Sequence, residues 1–121
     1  MIVFRIAFKG RGKGPYQSKF KICEEFGNKH QGHNWPFPNY SAHLKLEDKG
    51  GRVYYGFSSL RELRNWFTDD EIIELYHEGF RISLFKVHKK FVVKSEKQVM
   101  FVLRQASLVR ILDFNTLCRL V

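Results

Sequence analysis

Apolar and polar residues alternate at the start of the chain. Ile2, Phe4, Ile6 and Phe8 fall on one face and Val3, Arg5 and Ala7 on the other, the period-two pattern of a strand whose first set faces the core. The next stretch, Lys9-Gly10-Arg11-Gly12-Lys13-Gly14-Pro15-Tyr16, breaks the pattern, because three alternating glycines and a proline suit no regular element. A short helix is expected over Gln17–Phe26, with Phe20, Cys23 and Phe26 inward and Gly27 as its stop. Residues 28–51 carry no periodicity and read as one long irregular segment holding His30, His33, His43 and Trp35-Pro36-Phe37-Pro38.

Periodicity returns at Arg52–Phe57, a second strand. Ser59-Leu60-Arg61-Glu62 then has capping-box spacing and opens a helix with Leu60, Leu63, Trp66 and Phe67 along one stripe. Thr68–Glu71 repeats the box and opens another helix carrying Ile72, Ile73, Leu75 and Tyr76, with Gly79 as a left-handed stop. Four β-rich runs follow, Phe80–Val87, Phe91–Lys94, Gln98–Leu103 and Ala106–Leu112. With the helices central and the strands flanking them, the expected class is α+β: a compact, mainly antiparallel sheet with two central helices in one domain over residues 1–121.

Composition supports a packed core, since 44% of the residues are hydrophobic and twelve are Phe. No apolar run approaches the roughly 20 residues that span a bilayer, and the first residues lack a basic stretch followed by a long apolar one. The expectation is a soluble, cytoplasmic protein with no membrane partner. Cys23 and Cys118 match no metal spacing and read as buried thiols of a reducing compartment, with a disulfide between them as the lesser reading.

Charge narrows the partners. The net charge is +9; residues 1–21 hold six basic groups and no acid, residues 81–121 nine against two acids, and residues 62–78 six acids against Arg64. An anionic partner follows from this balance, a nucleotide-type ligand or nucleic acid. Lys9, Arg11 and Lys13 on the glycine-rich loop form a candidate anion cradle with Tyr16 beside it. Trp35 is a candidate stacking platform for a base.

Arg5 on the first strand, Tyr55-Gly56-Phe57-Ser58-Ser59 at a strand-to-helix junction, and Glu96-Lys97-Gln98 entering a late strand resemble the three signature positions of ADP-ribosyltransferases. The resemblance implies that Arg5 holds dinucleotide phosphate, that Tyr55 and Ser58 line the pocket, and that NAD is the candidate cofactor. It also implies catalytic positions at Glu96 and Gln98. Gln98 stands where the family has a glutamate, and an amide cannot supply the charge that stabilises a developing cation. Transfer would therefore rest on Glu96 or be absent.

Gly14-Pro15-Tyr16, Gly56–Phe67, Gly79–Ile82 and Gln98–Phe101 also resemble a pattern of small phage and mobile-element proteins, which implies an origin and a host-cell setting but no activity. Two further readings stay open: a non-enzymatic nucleic-acid binder acting through the basic ends, and an inhibitor that engages a host protein through the acidic helix.

Overall fold

The computed structural model describes residues 1–11, 14, 40–95, 97–113, 115, 116 and 119. Among these residues six strands form two antiparallel three-stranded sheets. The first contains β1 (Ile2–Phe8), β3 (Phe80–Val87) and β6 (Ala106–Ile111), in the order β1-β3-β6. The second contains β2 (Val53–Gly56), β4 (Val92–Lys94) and β5 (Val99–Val102), in the order β2-β5-β4. Three α-helices accompany them: α1 (Tyr40–Gly50), α2 (Leu60–Trp66) and α3 (Asp69–His77).

Side-chain alternation explains how these elements stack. On β1 and β3, Ile6, Phe80 and Ile82 face α2 and α3, where Leu63, Trp66, Phe67, Ile72 and Leu75 close a core. Val3 on β1 and Phe85 and Val87 on β3 face the other way and meet Val99 and Phe101 of the second sheet. Val53, Met100 and Val102 point out of the far side of that sheet and pack under Leu46 of α1. The layers therefore run helices, sheet, sheet, helix, and the expected α+β class with antiparallel pairing holds. β1 departs from the simple alternation reading. Its second face, Val3, Arg5 and Ala7, is fully covered, while Ile2 at its start is exposed.

The two sheets touch edge to edge at one place. Phe4 and Phe57 exchange both backbone hydrogen bonds at 2.8 Å, joining β1 to the extension of β2. Only glycine fits beside this seam, since a Cβ at Gly56 would lie 2.6 Å from Val3 Cγ1 and 2.8 Å from the Phe4 carbonyl oxygen.

The helix ends follow the sequence signals, with one difference. Thr68 and Glu71 make the full reciprocal capping box, and this bond explains why Glu71 is buried at 3% exposure. Ser59 accepts from the Glu62 amide at 3.1 Å, but the Glu62 carboxylate takes a hydrogen bond from Ser58 rather than reaching back. Gly79 ends α3 with φ at +101°. Arg81 then covers the last turn, donating to the carbonyls of Tyr76 and Phe80.

One expectation is overturned. Residues 40–50 form α1 rather than part of an irregular loop, so His43, Glu47 and Asp48 sit on a helix. Leu46 is buried and Ala42 packs beside it, but Leu44 between them is exposed, so the apolar residues at 42, 44 and 46 give no helical stripe in the sequence. The expected helix over Gln17–Phe26, both cysteines, His30, His33 and the Trp35–Pro38 stretch lie outside the described residues.

Candidate functional site

Arg5 occupies the centre of the sheet–sheet interface. Strand alternation turns its side chain toward the second sheet, opposite Ser83 in the β1–β3 register. It is 6% exposed. Nη1 donates to the Tyr55 carbonyl oxygen at 2.7 Å, at the edge of β2. The guanidinium carbon lies 5.0 Å from the centre of the Tyr54 ring, within cation–π range. Nε and Nη2 are buried and make no hydrogen bond among the described residues.

Burial pulls the Arg5 pKa down from the ordinary arginine value to about 10, with Tyr54 acting in the opposite direction. A pKa of about 10 still leaves the group almost wholly protonated near neutral pH. The interface therefore holds a cation with two spare donors.

The segment after β1 is shaped around this group. Lys9 adopts φ of +55° and Gly10 +81°, a left-handed pair that turns the chain. Ser83 Oγ, fully buried, donates to the Gly10 carbonyl oxygen at 2.7 Å and pins the turn. Gly10 lies so close to Ser83 and Ile111 that a Cβ there would come within 2.9 Å of Ser83 Oγ. The chain then passes Arg5 at Gly14, where a Cβ would sit 3.2 Å from Nη2. Lys9 and Arg11 are exposed beside the turn.

The other expected residues are placed around the same seam. Tyr55 touches Arg5 through its carbonyl and directs its ring to the α1 side, where Oη lies 3.0 Å from His43 Nδ1. Burial, and then the nearby Glu47 carboxylate, raise the Tyr55 pKa. Ser58 Oγ donates to Glu62 Oε2 at 2.7 Å, and Glu62 Oε1 faces Lys94 Nζ at 3.8 Å.

Gln98 belongs to the turn between β4 and β5. Its carbonyl accepts from the Ser95 amide at 2.8 Å and from Ser95 Oγ at 2.7 Å. Since Gly56 pairs with Val99 and Val99 with Lys94, this turn sits at the same end of the second sheet as Ser58 and Glu62. Arg5 and Tyr55 are in direct contact, whereas Ser58 bonds Glu62 and Gln98 bonds Ser95. Glu96, Lys13, Tyr16 and Trp35 lie outside the described residues.

Two residues escaped the sequence reading. Tyr54 is one of two adjacent tyrosines, and only the sheet-to-sheet layering shows which ring meets Arg5. Ser83 did leave a signal: it is a lone hydroxyl on a strand of Phe, Ile, Leu and Val, and antiparallel register sets it across from Arg5.

Among the described residues no helix is long and apolar enough to cross a membrane. No curated protein and no solved structure matches the chain. The family described as bacteriophage T4 Y00F protein matches residues 1–115, nearly the whole sequence. The chain therefore belongs to the bacteriophage T4 Y00F protein family, in keeping with its resemblance to small phage proteins.

Proposed function

We propose that this phage protein binds a nucleotide-type anionic ligand, with an NAD-like dinucleotide as the leading candidate and Arg5 as its phosphate-binding residue. The observation that carries this reading is the pair of buried, unpartnered donors on Arg5. Each unsatisfied buried donor costs about 1–3 kcal/mol, and more on a charged group. The one charge-assisted bond to Tyr55 offsets about 1.5–3 kcal/mol, and the Tyr54 contact about 0.5–2 kcal/mol. Cost and offset are of the same size, so the contacts within the protein give no clear stability reason for an arginine here. An anion would use both spare donors and restore a counter-charge, and a phosphate matches the planar fork of a guanidinium.

The glycine-bearing turn supports the same reading. Backbone without a side chain lies against the guanidinium at Gly14, and Lys9 and Arg11 are exposed on the turn that follows β1. A ligand reaching Arg5 displaces the chain at Gly14. The resemblance of Arg5, Tyr55 and Ser58 to ADP-ribosyltransferase positions adds the dinucleotide as the class of ligand. Ser58, already held by Glu62, would present its hydroxyl at the rim.

The reading is of binding without transfer. Gln98 is an amide in the family's glutamate position, and losing such an electrostatic contribution costs about 10²–10³ in rate. Titration calorimetry with NAD, ADP-ribose and pyrophosphate tests the reading. At least one should release or absorb heat, and Arg5→Met should weaken it about tenfold or more, the loss expected for a charge-assisted hydrogen bond. No heat from any of the three at millimolar concentration would exclude it.

A further inference from the structure

A second positively charged feature lies at one end of the sandwich. The registers bring the start of β2 opposite the end of β5, the start of β4 beside them, and the end of β3 opposite the start of β6. Three connections therefore gather there: the α1–β2 link at 50–52, the turn Lys89–Phe91, and the turn Leu103–Gln105. Packing confirms the convergence. A side chain at Gly50 would come within 3.1 Å of Phe91 and Val102, and one at Gly51 within 3.8 Å of Arg104.

Six cations ride on these segments: Lys49, Arg52, Lys86, Lys89, Lys90 and Arg104. All six are exposed, and none forms an ion pair among the described residues. The nearest acids on the chain are Asp48, exposed on the last turn of α1, and Glu47, which faces His43 at 3.9 Å. Two cations elsewhere have acidic partners, Arg64 with Asp69 at 3.2 Å and Lys94 with Glu62 at 3.8 Å. Like charges drawn together from four parts of the chain repel unless a polyanion lies across them.

We infer that this end of the sandwich is a docking face for the phosphate backbone of a nucleic acid. Arginine forks at 52 and 104 suit phosphate oxygens, and the lysines supply point charges around them. An anionic membrane fits less well. The large apolar residues exposed at this end are Met1 and Ile2, and the Met1 amine is bound to the Val87 carbonyl oxygen. Two such residues make no apolar face for insertion. The face borders the Arg5 site at one ring, Tyr54, which lies 5.0 Å from the Arg5 guanidinium and 5.8 Å from that of Arg52, but its cations are exposed where Arg5 is buried, and its partner is a polymer rather than a single nucleotide.

Fluorescence anisotropy with labelled single-stranded and duplex oligonucleotides over a salt series tests the inference on the full chain. Affinity should fall with salt, with a slope of about 0.7–0.9 per phosphate neutralised. The triple variant Lys89→Gln, Lys90→Gln, Arg104→Gln should lower that slope by about two to three units while retaining the native circular dichroism spectrum. Neutralising Arg61 and Arg110, which lie off this face, should leave the slope unchanged. Arg5→Met should bind the oligonucleotides like the unaltered protein, which separates this result from the dinucleotide reading. Three results would each overturn the inference: no binding at low salt, a triple variant indistinguishable from the parent, or phosphatidylserine vesicles binding more tightly than either oligonucleotide.

Discussion

Arg5 Nη1 donates to the Tyr55 carbonyl oxygen at 2.7 Å, tying the middle of β1 to the edge of β2 where the two sheets meet. The same tyrosine turns its ring to the opposite side of the sheet and meets His43 of α1. One residue thus touches the buried cation with its backbone and the outer helix with its side chain.

The Tyr55 hydroxyl reports on this link. Its pKa lies above the ordinary 10.0, raised first by burial and then by Glu47. A raised folded pKa means that Tyr55 contributes stability below the unfolded value and loses it as pH rises through the folded value. Glu47→Gln should move the Tyr55 titration downward in an ultraviolet tyrosinate titration. Tyr55→Phe should lessen the loss of stability above about pH 10. A Tyr55 titration unmoved by Glu47→Gln would show that Glu47 does not act on the hydroxyl.

Gly56 sets the seam between the sheets. Gly56→Ala forces a methyl group against Val3 and the Phe4 carbonyl, and backbone cannot rotate away as a side chain can. Denaturant unfolding should show a loss of about 1–3 kcal/mol or more. A smaller effect would mean that the Phe4–Phe57 bridge opens easily.

Ser83 tests the turn over Arg5. Ser83→Ala leaves the Gly10 carbonyl oxygen buried without its donor, which should cost about 1–3 kcal/mol. Because the turn leads to Gly14 beside the guanidinium, ADP-ribose affinity should also fall in calorimetry, by less than for Arg5→Met. Lost stability with unchanged affinity would show that the turn plays no part in the site.

Most strands and both central helices were legible because their signals are local. Alternation marks β1 and β3, and the hydroxyl-to-Glu spacings at Ser59 and Thr68 mark the starts of α2 and α3. What the sequence hid depends on layering. Val3, Arg5 and Ala7 read as an outer face because nothing local announces that a second sheet covers them. The helix α1 buries Leu46 but exposes Leu44, so its apolar residues mark no single face in the sequence. Arg5 was identifiable as a basic residue inside a strand. Its two spare donors follow from contacts to Tyr54 and Tyr55, some fifty residues away, which no local pattern specifies.

The most direct test of the Arg5 reading compares thermal unfolding of the parent and Arg5→Met with and without pyrophosphate. Without the anion, Arg5→Met should melt at or above the parent, because an apolar chain replaces an undercompensated buried charge, a change often neutral to about 4 kcal/mol stabilising. With pyrophosphate the parent should rise, by about 2.7 kcal/mol at one hundred times the dissociation constant, and Arg5→Met should stay where it was. A variant that melts well below the parent, together with an equal pyrophosphate shift in both proteins, would contradict the account and make Arg5 a structural residue.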